Sequence, residues 1–209
     1  MKTLFFVPAR GGSKGIANKN LQLLGEKSLT EISVDLLCQA GLQEFTVLSS
    51  DSDEILGTCR AKGIVCDKRP EAFSADDTTT GATIKEFLES GRSNYDLDQD
   101  DWVVIVEPTS PFRRLETLEI LLTAIRTDEF DSIFTVHQSS AVEWVRGENS
   151  WNRKDDVNGN YSRRQIRPAK FHECGVFYAT KVKHITSDSI LGENCYSIVV
   201  NDTEALDIT

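Results

Sequence analysis

Short apolar segments alternate with longer amphipathic segments along the first two thirds of the chain. The apolar segments have the length of buried strands, and they cover 3–8, 45–49, 64–67, 102–106 and 131–137. The segments between them space their apolar residues as helices do, near 29–40, 52–62, 79–91 and 115–127. Strands and helices that alternate at this length are typical of a parallel sheet covered on both faces. The pattern predicts an α/β fold with a doubly wound, mostly parallel sheet.

Two of the predicted helices begin with capping signals. Ser28 and Glu31 have the spacing of a capping box before the first helix, and Asp51 and Glu54 repeat that spacing before the second. For Asp51 an N-cap role is at least as well supported as a direct role in a functional site.

The pattern changes after residue 138. Residues 139–170 contain Trp144 and Trp151 among many polar residues and show little helical spacing, so we interpret them as a β-rich excursion. Strand-like segments resume at 175–178 and 196–200. We therefore expect one domain over 1–209, with 139–170 inserted into it as an arm.

Composition narrows the function classes. The chain has 209 residues, of which 39% are hydrophobic and 27% charged, as in ordinary globular domains. Its start does not resemble a signal peptide, and its five cysteines have no metal-ligand spacing, so we expect a cytoplasmic protein with reduced thiols. A net charge of −10 argues against nucleic acids and membrane surfaces as partners, and it makes local clusters of cations informative.

One such cluster follows the first predicted strand, in the loop from Pro8 to Asn20. This loop combines glycines with three cations, Arg10, Lys14 and Lys19. Glycines allow backbone N–H groups to approach phosphate oxygens, and the cations neutralise phosphate charge. The loop has neither the P-loop spacing nor the dinucleotide-binding spacing. Phosphate binding is the favoured prediction, and a solvated loop is the alternative.

The same loop resembles the N-terminal signature of the acylneuraminate cytidylyltransferases (CMP-sialic acid synthetases), approximately A-R-x-x-S-K-G-x-x-x-K-N. The matching positions are Arg10, Ser13, Lys14, Gly15, Lys19 and Asn20. Further stretches resemble the same family in the same order, and they are Leu48–Asp51, Arg69–Asp76, Glu107–Arg113, Arg164-Gln165 and Ala205–Thr209.

The resemblance implies a three-layer, Rossmann-like nucleotidyltransferase fold and a reaction in which CMP passes from CTP to the anomeric hydroxyl of a nine-carbon α-keto acid sugar. It implies catalytic roles for Arg10 and Lys14, and nucleotide binding by Arg10, Gly11, Ser13, Lys14, Lys19, Asn20, Arg69 and Thr80. It also implies a Mg²⁺ (or Mn²⁺) cofactor held by Asp207, and a homodimer formed through the 139–170 arm, which lends Arg164 to the neighbouring site.

For the sugar, the resemblance implies contacts from Glu107, Thr109, Ser110, Arg113, Arg164, Gln165 and Cys174. Pro108 and Pro111 are expected to fix a turn that presents Thr109, Ser110 and Arg113 at the carboxyl edge of the sheet. A purely structural turn is the alternative there, and a solvent-facing cation is the alternative for Arg164.

Several positions depart from the family pattern. Glu107 and Cys174 stand where the family usually has Gln and Asn, and the lysine expected in the arm has no clear equivalent, with Trp144 or Arg146 nearest. Thr209 replaces the second Asp of the metal motif, and Asp202 is a less favoured alternative to Asp207 as the metal ligand if the register shifts by a few residues. N-acetylneuraminate itself is therefore in question as the acceptor, and a legionaminic-, pseudaminic- or KDN-type acid is an alternative.

Two functional hypotheses follow. The first is an active cytidylyltransferase that activates a nonulosonic acid for glycan synthesis. The second is a non-catalytic family member that binds nucleotide or sugar, because the metal motif is incomplete. A CMP-KDO or purine-sugar synthetase is disfavoured, since the spacing of the first loop is typical of the sialate branch.

Overall fold

A computed structural model describes residues 1–13, 15–154 and 169–208. Its main feature is a seven-stranded sheet with the order β11-β7-β10-β6-β1-β4-β5. In chain order these strands are β1 (Thr3–Pro8), β4 (Thr46–Ser50), β5 (Val65–Lys68), β6 (Trp102–Ile105), β7 (Ser132–Ser139), β10 (Lys170–Lys181) and β11 (Cys195–Val200). All neighbouring strands pair in parallel except β10, which is antiparallel to both β6 and β7. The predicted α/β fold with a mostly parallel sheet is confirmed.

Helices cover both faces of this sheet, which gives three layers. They are α1 (Leu29–Gln39), α2 (Asp53–Cys59), α3 (Thr80–Glu89) and α4 (Leu115–Thr127). Helices α1, α2 and α4 pack on the face that carries Phe5 and Val7, whereas α3 packs on the opposite face against Leu4 and Phe6. Both faces of β1 are thus buried, which explains why its sequence is a continuous apolar run.

The first helix begins as the sequence predicts. The Ser28 hydroxyl accepts a hydrogen bond from the Glu31 N–H at 3.2 Å, and the Glu31 carboxylate accepts one from the Ser28 N–H at 2.9 Å. The N-cap predicted at Asp51 is wrong, because Ser52 caps α2 through a hydrogen bond from the Ile55 N–H. The Asp51 carboxylate is therefore left to serve another segment.

Most predicted element boundaries agree with the structure to within a few residues, but the strand predicted at 175–178 is longer and begins at Lys170, and one helix ends early. The second predicted helix, 52–62, is α-helical only to Cys59 and then tightens into a 3-10 turn from Arg60 to Lys62. Gly63 ends this turn with a φ of 76°, a left-handed conformation that glycine adopts without strain. No helix in the described part of the chain is long and apolar enough to cross a membrane.

The 139–170 excursion leaves the sheet at the end of β7 and returns at the start of β10. These two strands pair with each other, and Ser139 lies opposite Lys170. The described part of the excursion contains a small antiparallel hairpin, β8 (Trp144–Arg146) with β9 (Trp151–Arg153). Another two-stranded ribbon, β2 (Leu23–Leu24) with β3 (Lys27–Ser28), connects the first loop to α1. The β-rich character predicted for the excursion is present in the residues that are described.

Candidate active site

A pocket of about 530 Å³ opens at the carboxyl edge of the parallel strands. Strand β1 lies between β6 on one side and β4 and β5 on the other, which is where the chain reverses its direction of winding. Open α/β sheets bind ligands at this kind of position. The pocket is lined by Pro8, Arg10, Ser13, Gly15, Lys19, Asn20, Arg69, Asp76, Thr78, Thr80, Thr83, Glu107, Pro108, Thr109 and Asp207.

Strand order divides the charged groups of this pocket into two sides. The cationic side, with Arg10, Lys19 and Arg69, follows β1 and β5. The acidic side consists of Glu107, which follows β6, and Asp207, which lies in the segment after β11.

The first loop is held in shape by Asn20, which is buried. The side-chain N–H of Asn20 donates to the backbone carbonyl of Arg10 at 2.9 Å, and the backbone carbonyl of Asn20 accepts from the Thr30 hydroxyl at 2.9 Å. The side-chain oxygen of Asn20 has no hydrogen-bond partner among the described residues. Asn20 therefore fixes the loop beneath Arg10 and retains an unused polar atom at the pocket wall.

Gly11 is hydrogen-bonded within the protein, and its predicted contact with the nucleotide stays a prediction. Its N–H donates to the Asp51 carboxylate at 2.8 Å, so this N–H is used within the protein rather than directed at a phosphate. A Cβ at position 11 would lie 3.1 Å from the Cβ of Ser52, which is closer than most side chains tolerate. Gly11 is needed for close packing of the loop on the turn after β4, and Asp51 anchors that loop.

Arg10 faces a carboxylate across the pocket. Its guanidinium forms an ion pair with Asp76 at 2.5 Å, and both residues line the cavity. Sequence reasoning placed Asp76 in a family-like stretch but gave it no role in the site. Its proximity to a cation predicted to bind phosphate was invisible in sequence, because 66 positions separate the two residues.

Arg69 is the most unusual cation of the cationic side. Its side chain is 6% exposed, and its Nε and one terminal nitrogen have no partner among the described residues. The other terminal nitrogen donates weakly to the Thr83 hydroxyl at 3.4 Å. Burial lowers the pKa of this guanidinium, and the carboxylate of Asp51 partly opposes that shift. Buried donors without partners in a pocket wall are available to a ligand.

On the acidic side, the turn after β6 is held from beneath by Arg113. Its guanidinium donates to the carbonyls of Glu107, Ser110, Gly175 and Val176 and to the Ser33 hydroxyl. Desolvation lowers its pKa to about 9, so the cation persists at neutral pH. Arg113 is buried and is not among the residues that line this pocket, and its predicted contact with the substrate stays a prediction. It is the scaffold that shapes the turn.

Cys174 also lies away from the pocket. Its side chain is 8% exposed and packs in the apolar core with Val176 and Phe177, and the predicted contact between Cys174 and substrate stays a prediction. The next residue, Gly175, lies near the turn instead. A Cβ at 175 would be 3.0 Å from the Glu107 carboxylate and 3.2 Å from the Ser110 hydroxyl. Ser110 is 1% exposed and lies behind the lining residues.

Asp207 reaches the pocket because its neighbour is bonded to the same turn. The Ile208 N–H donates to the Thr109 carbonyl at 2.8 Å, and Asp207 is exposed at the cavity wall. Among the described residues, no group of three or more His, Cys, Asp or Glu side chains is arranged to hold a metal ion. Mg²⁺ at nucleotide sites needs only one or two carboxylates, because phosphate oxygens and water complete its shell. The donors present fit such an ion.

The sequence-predicted residues divide into three groups. Those that line one pocket are Arg10, Ser13, Lys19, Asn20, Arg69, Thr80, Glu107, Thr109 and Asp207. Those placed behind its wall are Gly11, Ser110, Arg113 and Cys174. Lys14, Arg164, Gln165 and Thr209 lie outside the described residues. Thr78 and Thr83 line the pocket and were missed, because no charge or glycine distinguishes them in the sequence.

Comparison with known proteins gives a consistent family. The sequence profile of a family described as cytidylyltransferase matches residues 4–203. An N-acylneuraminate cytidylyltransferase of Streptococcus agalactiae serotype V is 23% identical, with an alignment that covers 100% of this chain and 50% of that protein. The chain thus spans about half the length of several curated relatives that it matches. A CMP-N,N'-diacetyllegionaminic acid synthase of Legionella pneumophila is 27% identical, over 100% of this chain and 91% of that protein.

Among solved structures, a CMP:2-keto-3-deoxy-manno-octonic acid synthetase complexed with CTP has a TM-score of 0.69 and 18% identity. The match covers 96% of this chain and 90% of that one, and it supports the fold.

Proposed function

The chain belongs to the cytidylyltransferase family, and from that premise we propose that it transfers CMP from CTP to the anomeric hydroxyl of a sialic-acid-like nonulosonic acid. The observation that carries the proposal is one pocket, at the winding reversal of the sheet, whose two sides match the two reactants. Relatives whose names specify sialic, legionaminic and pseudaminic acid substrates support this acceptor class.

The cationic side suits a nucleoside triphosphate. Arg10 and Lys19 lie on the loop after β1 and would neutralise phosphate charge, and Lys14, which lies outside the described residues, is expected to join them. Charge neutralisation by fixed cations is the largest contribution a protein makes to phosphoryl transfer. Since Asp76 pairs with Arg10 in this structure, the triphosphate would replace Asp76 as the partner of that guanidinium.

Arg69 suits the cytosine base. Its two unpartnered N–H groups would donate to two adjacent acceptors, and cytosine offers adjacent acceptors at its ring carbonyl and N3. Uracil presents an N–H at the corresponding ring position, so the same guanidinium would face a donor. Pairing of Arg69 with cytosine would also relieve the cost of burying an unsatisfied cation.

We propose that Mg²⁺ accompanies CTP and that Asp207 holds it, with phosphate oxygens and water as further ligands. When bound, the ion would neutralise charge on the phosphates. The chain's own part is to bring Asp207 beside Thr109 through the bond from Ile208.

In the reaction, the anomeric oxygen of the sugar bonds to the α-phosphorus of CTP. The bond from that phosphorus to the oxygen shared with the β-phosphorus breaks, pyrophosphate departs and the hydroxyl proton is released. The chain contributes orientation and electrostatic stabilisation, because both reactants lie in one pocket.

We also propose that two copies associate through the arm. Trp144, Val145 and Trp151 in the arm, and Phe171 directly after it, are all more than half exposed, which is unusual for large apolar side chains so close together in the sequence. Sedimentation velocity should show a dimer, and a monomer at micromolar concentration would contradict this.

The five free thiols are consistent with the expected cytoplasmic location.

The test of function is a pyrophosphate-release assay with CTP, Mg²⁺ and a panel of nonulosonic acids. We expect release that requires both CTP and one of the acids, with UTP and 2-keto-3-deoxy-manno-octonic acid as matched controls for nucleotide and acceptor. CTP binding without turnover on any acid would contradict the proposal and would favour the non-catalytic alternative.

A further inference from the structure

Glu107 is a pocket carboxylate that accepts no hydrogen bond from the described residues. It follows β6, it lines the cavity, and no described residue donates a hydrogen bond to its carboxylate oxygens. Most of its environment is protein, and this desolvation raises its pKa above the ordinary value for Glu. An unpaired carboxylate that is removed from water lowers the stability of the fold. A ligand in the pocket that donates a hydrogen bond to this carboxylate would offset that loss.

Gly175 packs closely against Glu107 and Ser110. A Cβ at position 175 would lie 3.0 Å from Glu107 Oε2 and 3.2 Å from Ser110 Oγ, so the glycine allows β10 to approach the turn after β6. The Ser110 hydroxyl is buried behind the pocket wall and has no partner among the described residues. Of these two residues only Glu107 lines the pocket, and the described residues leave its carboxylate available to a ligand.

The surrounding charges are mainly negative. Asp207 and Glu173 both raise the pKa of Glu107 through their charge, while Arg113 and Lys19 lower it. The guanidinium of Arg113 is fully occupied by backbone carbonyls and Ser33, so it offers Glu107 no direct hydrogen bond. Glu173 accepts from the Tyr178 hydroxyl at 2.9 Å and is exposed. The acidic side as a whole would attract a cationic group and repel an anionic one.

Resting on the function proposed above, we propose that the acceptor carries a protonated nitrogen, an amine or an amidine, which pairs with the Glu107 carboxylate at the pocket wall. The sugar's own carboxylate then lies elsewhere, away from this carboxylate. Glu107 is thus a specificity-determining residue that favours a cationic acid sugar over its neutral N-acetyl counterpart. A bidentate amidine would satisfy both carboxylate oxygens at once.

The test compares two nonulosonic acids that differ at one nitrogen only, with an N-acetyl group in one and an acetamidino group in the other. For the unaltered protein we expect kcat/KM, measured by pyrophosphate release with saturating CTP, to be at least about tenfold higher for the cationic acid. A matched pair with a free amine in place of the amidine shows which cation is preferred. Equal values, or a preference for the neutral acid at each nitrogen tested, would overturn the proposal without any variant.

Variants then assign the effect to Glu107. Glu107→Gln keeps the shape but removes the charge, and we expect it to lose about tenfold on the cationic acid and little on the neutral acid. Glu173→Gln makes the same charge change outside the pocket and should alter the ratio less than about twofold. A Glu107→Gln variant that binds CTP normally and loses activity equally on both acids would assign Glu107 to a sugar hydroxyl and would overturn the proposal. Absence of turnover on every acid would instead refute the proposed function, and this inference with it.

Discussion

On the cationic side of the pocket, Arg69 holds two buried N–H groups that no described residue accepts, and on the acidic side Glu107 holds a carboxylate to which no described residue donates. Both follow parallel strands of the same sheet, β5 and β6, separated by β1 and β4. The fold therefore keeps two uncompensated groups of opposite charge at opposite ends of one cavity. Such groups lower stability, so their presence indicates that ligands complete them.

The two sides differ in how they are built. On the cationic side, Arg10, Lys19 and Asn20 come from one loop, and the Asn20 amide fixes that loop directly. On the acidic side, the turn at Glu107 depends on Arg113 beneath it and on Gly175 beside it. A nucleotide site can thus be retained by local sequence, while an acceptor site can change through substitutions at distant positions. We expect substitutions at Glu107 to leave CTP binding nearly unchanged, and substitutions at Arg69 to leave acceptor binding nearly unchanged.

The largest effect should come from Arg10→Ala. Loss of a cation that stabilises the departing pyrophosphate should lower kcat/KM for CTP by about 10³-fold, in the range measured when one transition-state donor is removed. The KM for the acceptor should stay within about threefold. Steady-state kinetics with each substrate varied in turn checks this, and Arg60→Ala removes an exposed arginine outside the pocket as the matched control. A variant that retains more than a tenth of the activity would break the assignment of the cationic side.

Arg69→Met should separate binding from stability. CTP affinity, measured by isothermal titration, should fall about 10- to 100-fold, because hydrogen bonds from a charged group are lost. The melting temperature should stay constant or rise, since a buried cation without partners is replaced by an apolar chain.

Arg92→Met is the contrasting control for Arg69. Arg92 pairs with Glu86 and with the buried carboxylate of Asp67, at 2.6 Å and 2.8 Å. Removing Arg92 should lower the melting temperature, because the buried carboxylate of Asp67 then keeps only the hydrogen bond from the Ser49 hydroxyl and loses its cation. CTP affinity should stay unchanged, because Arg92 lies outside the pocket wall. If Arg69→Met behaved like Arg92→Met, Arg69 would be a structural residue.

The smallest effect should come from Asp76→Asn, and it should be a gain. The ion pair between Asp76 and Arg10 competes with phosphate for the same guanidinium, and partly exposed pairs contribute about 0.2–1 kcal/mol. CTP should therefore bind roughly 1.4- to 5-fold more tightly to the variant. Asp77→Asn, at the next and exposed position, is the control. Weaker binding after Asp76→Asn would mean that Asp76 assists the nucleotide rather than competing with it.

The sequence predicts the elements and the cationic side well, for a local reason. The periodicity of strands and helices depends on residues that are close in the sequence, and the capping box at Ser28 does too. The cations of the first loop are likewise close in the sequence. Asp51 shows the limit of this reasoning, because a one-residue difference in the cap, at Ser52, frees the carboxylate for Gly11, 40 positions away. A spacing rule cannot reveal a hydrogen bond made through the tertiary fold.

The acidic side was predicted less accurately because its residues meet only in the folded sheet. The alternation of β10 turns Cys174 into the core and places Gly175 beside the turn, and this depends on the irregular register between Cys174 and Tyr178. Arg113 was expected at the pocket because two prolines were expected to present it at the carboxyl edge of the sheet, yet its guanidinium donates to four backbone carbonyls instead. The departures at Glu107 and Cys174 were visible in sequence, whereas their geometric consequences were not.

The most direct test of the central claim is the affinity of the unaltered protein for CTP and UTP, measured by isothermal titration with Mg²⁺ and without acceptor. If the cationic side binds a cytidine triphosphate through Arg10 and Arg69, CTP should bind and UTP should bind at least about tenfold more weakly, since uracil places a donor against the unpartnered N–H groups of Arg69. Equal affinity for the two nucleotides, or no binding of CTP, would contradict the account.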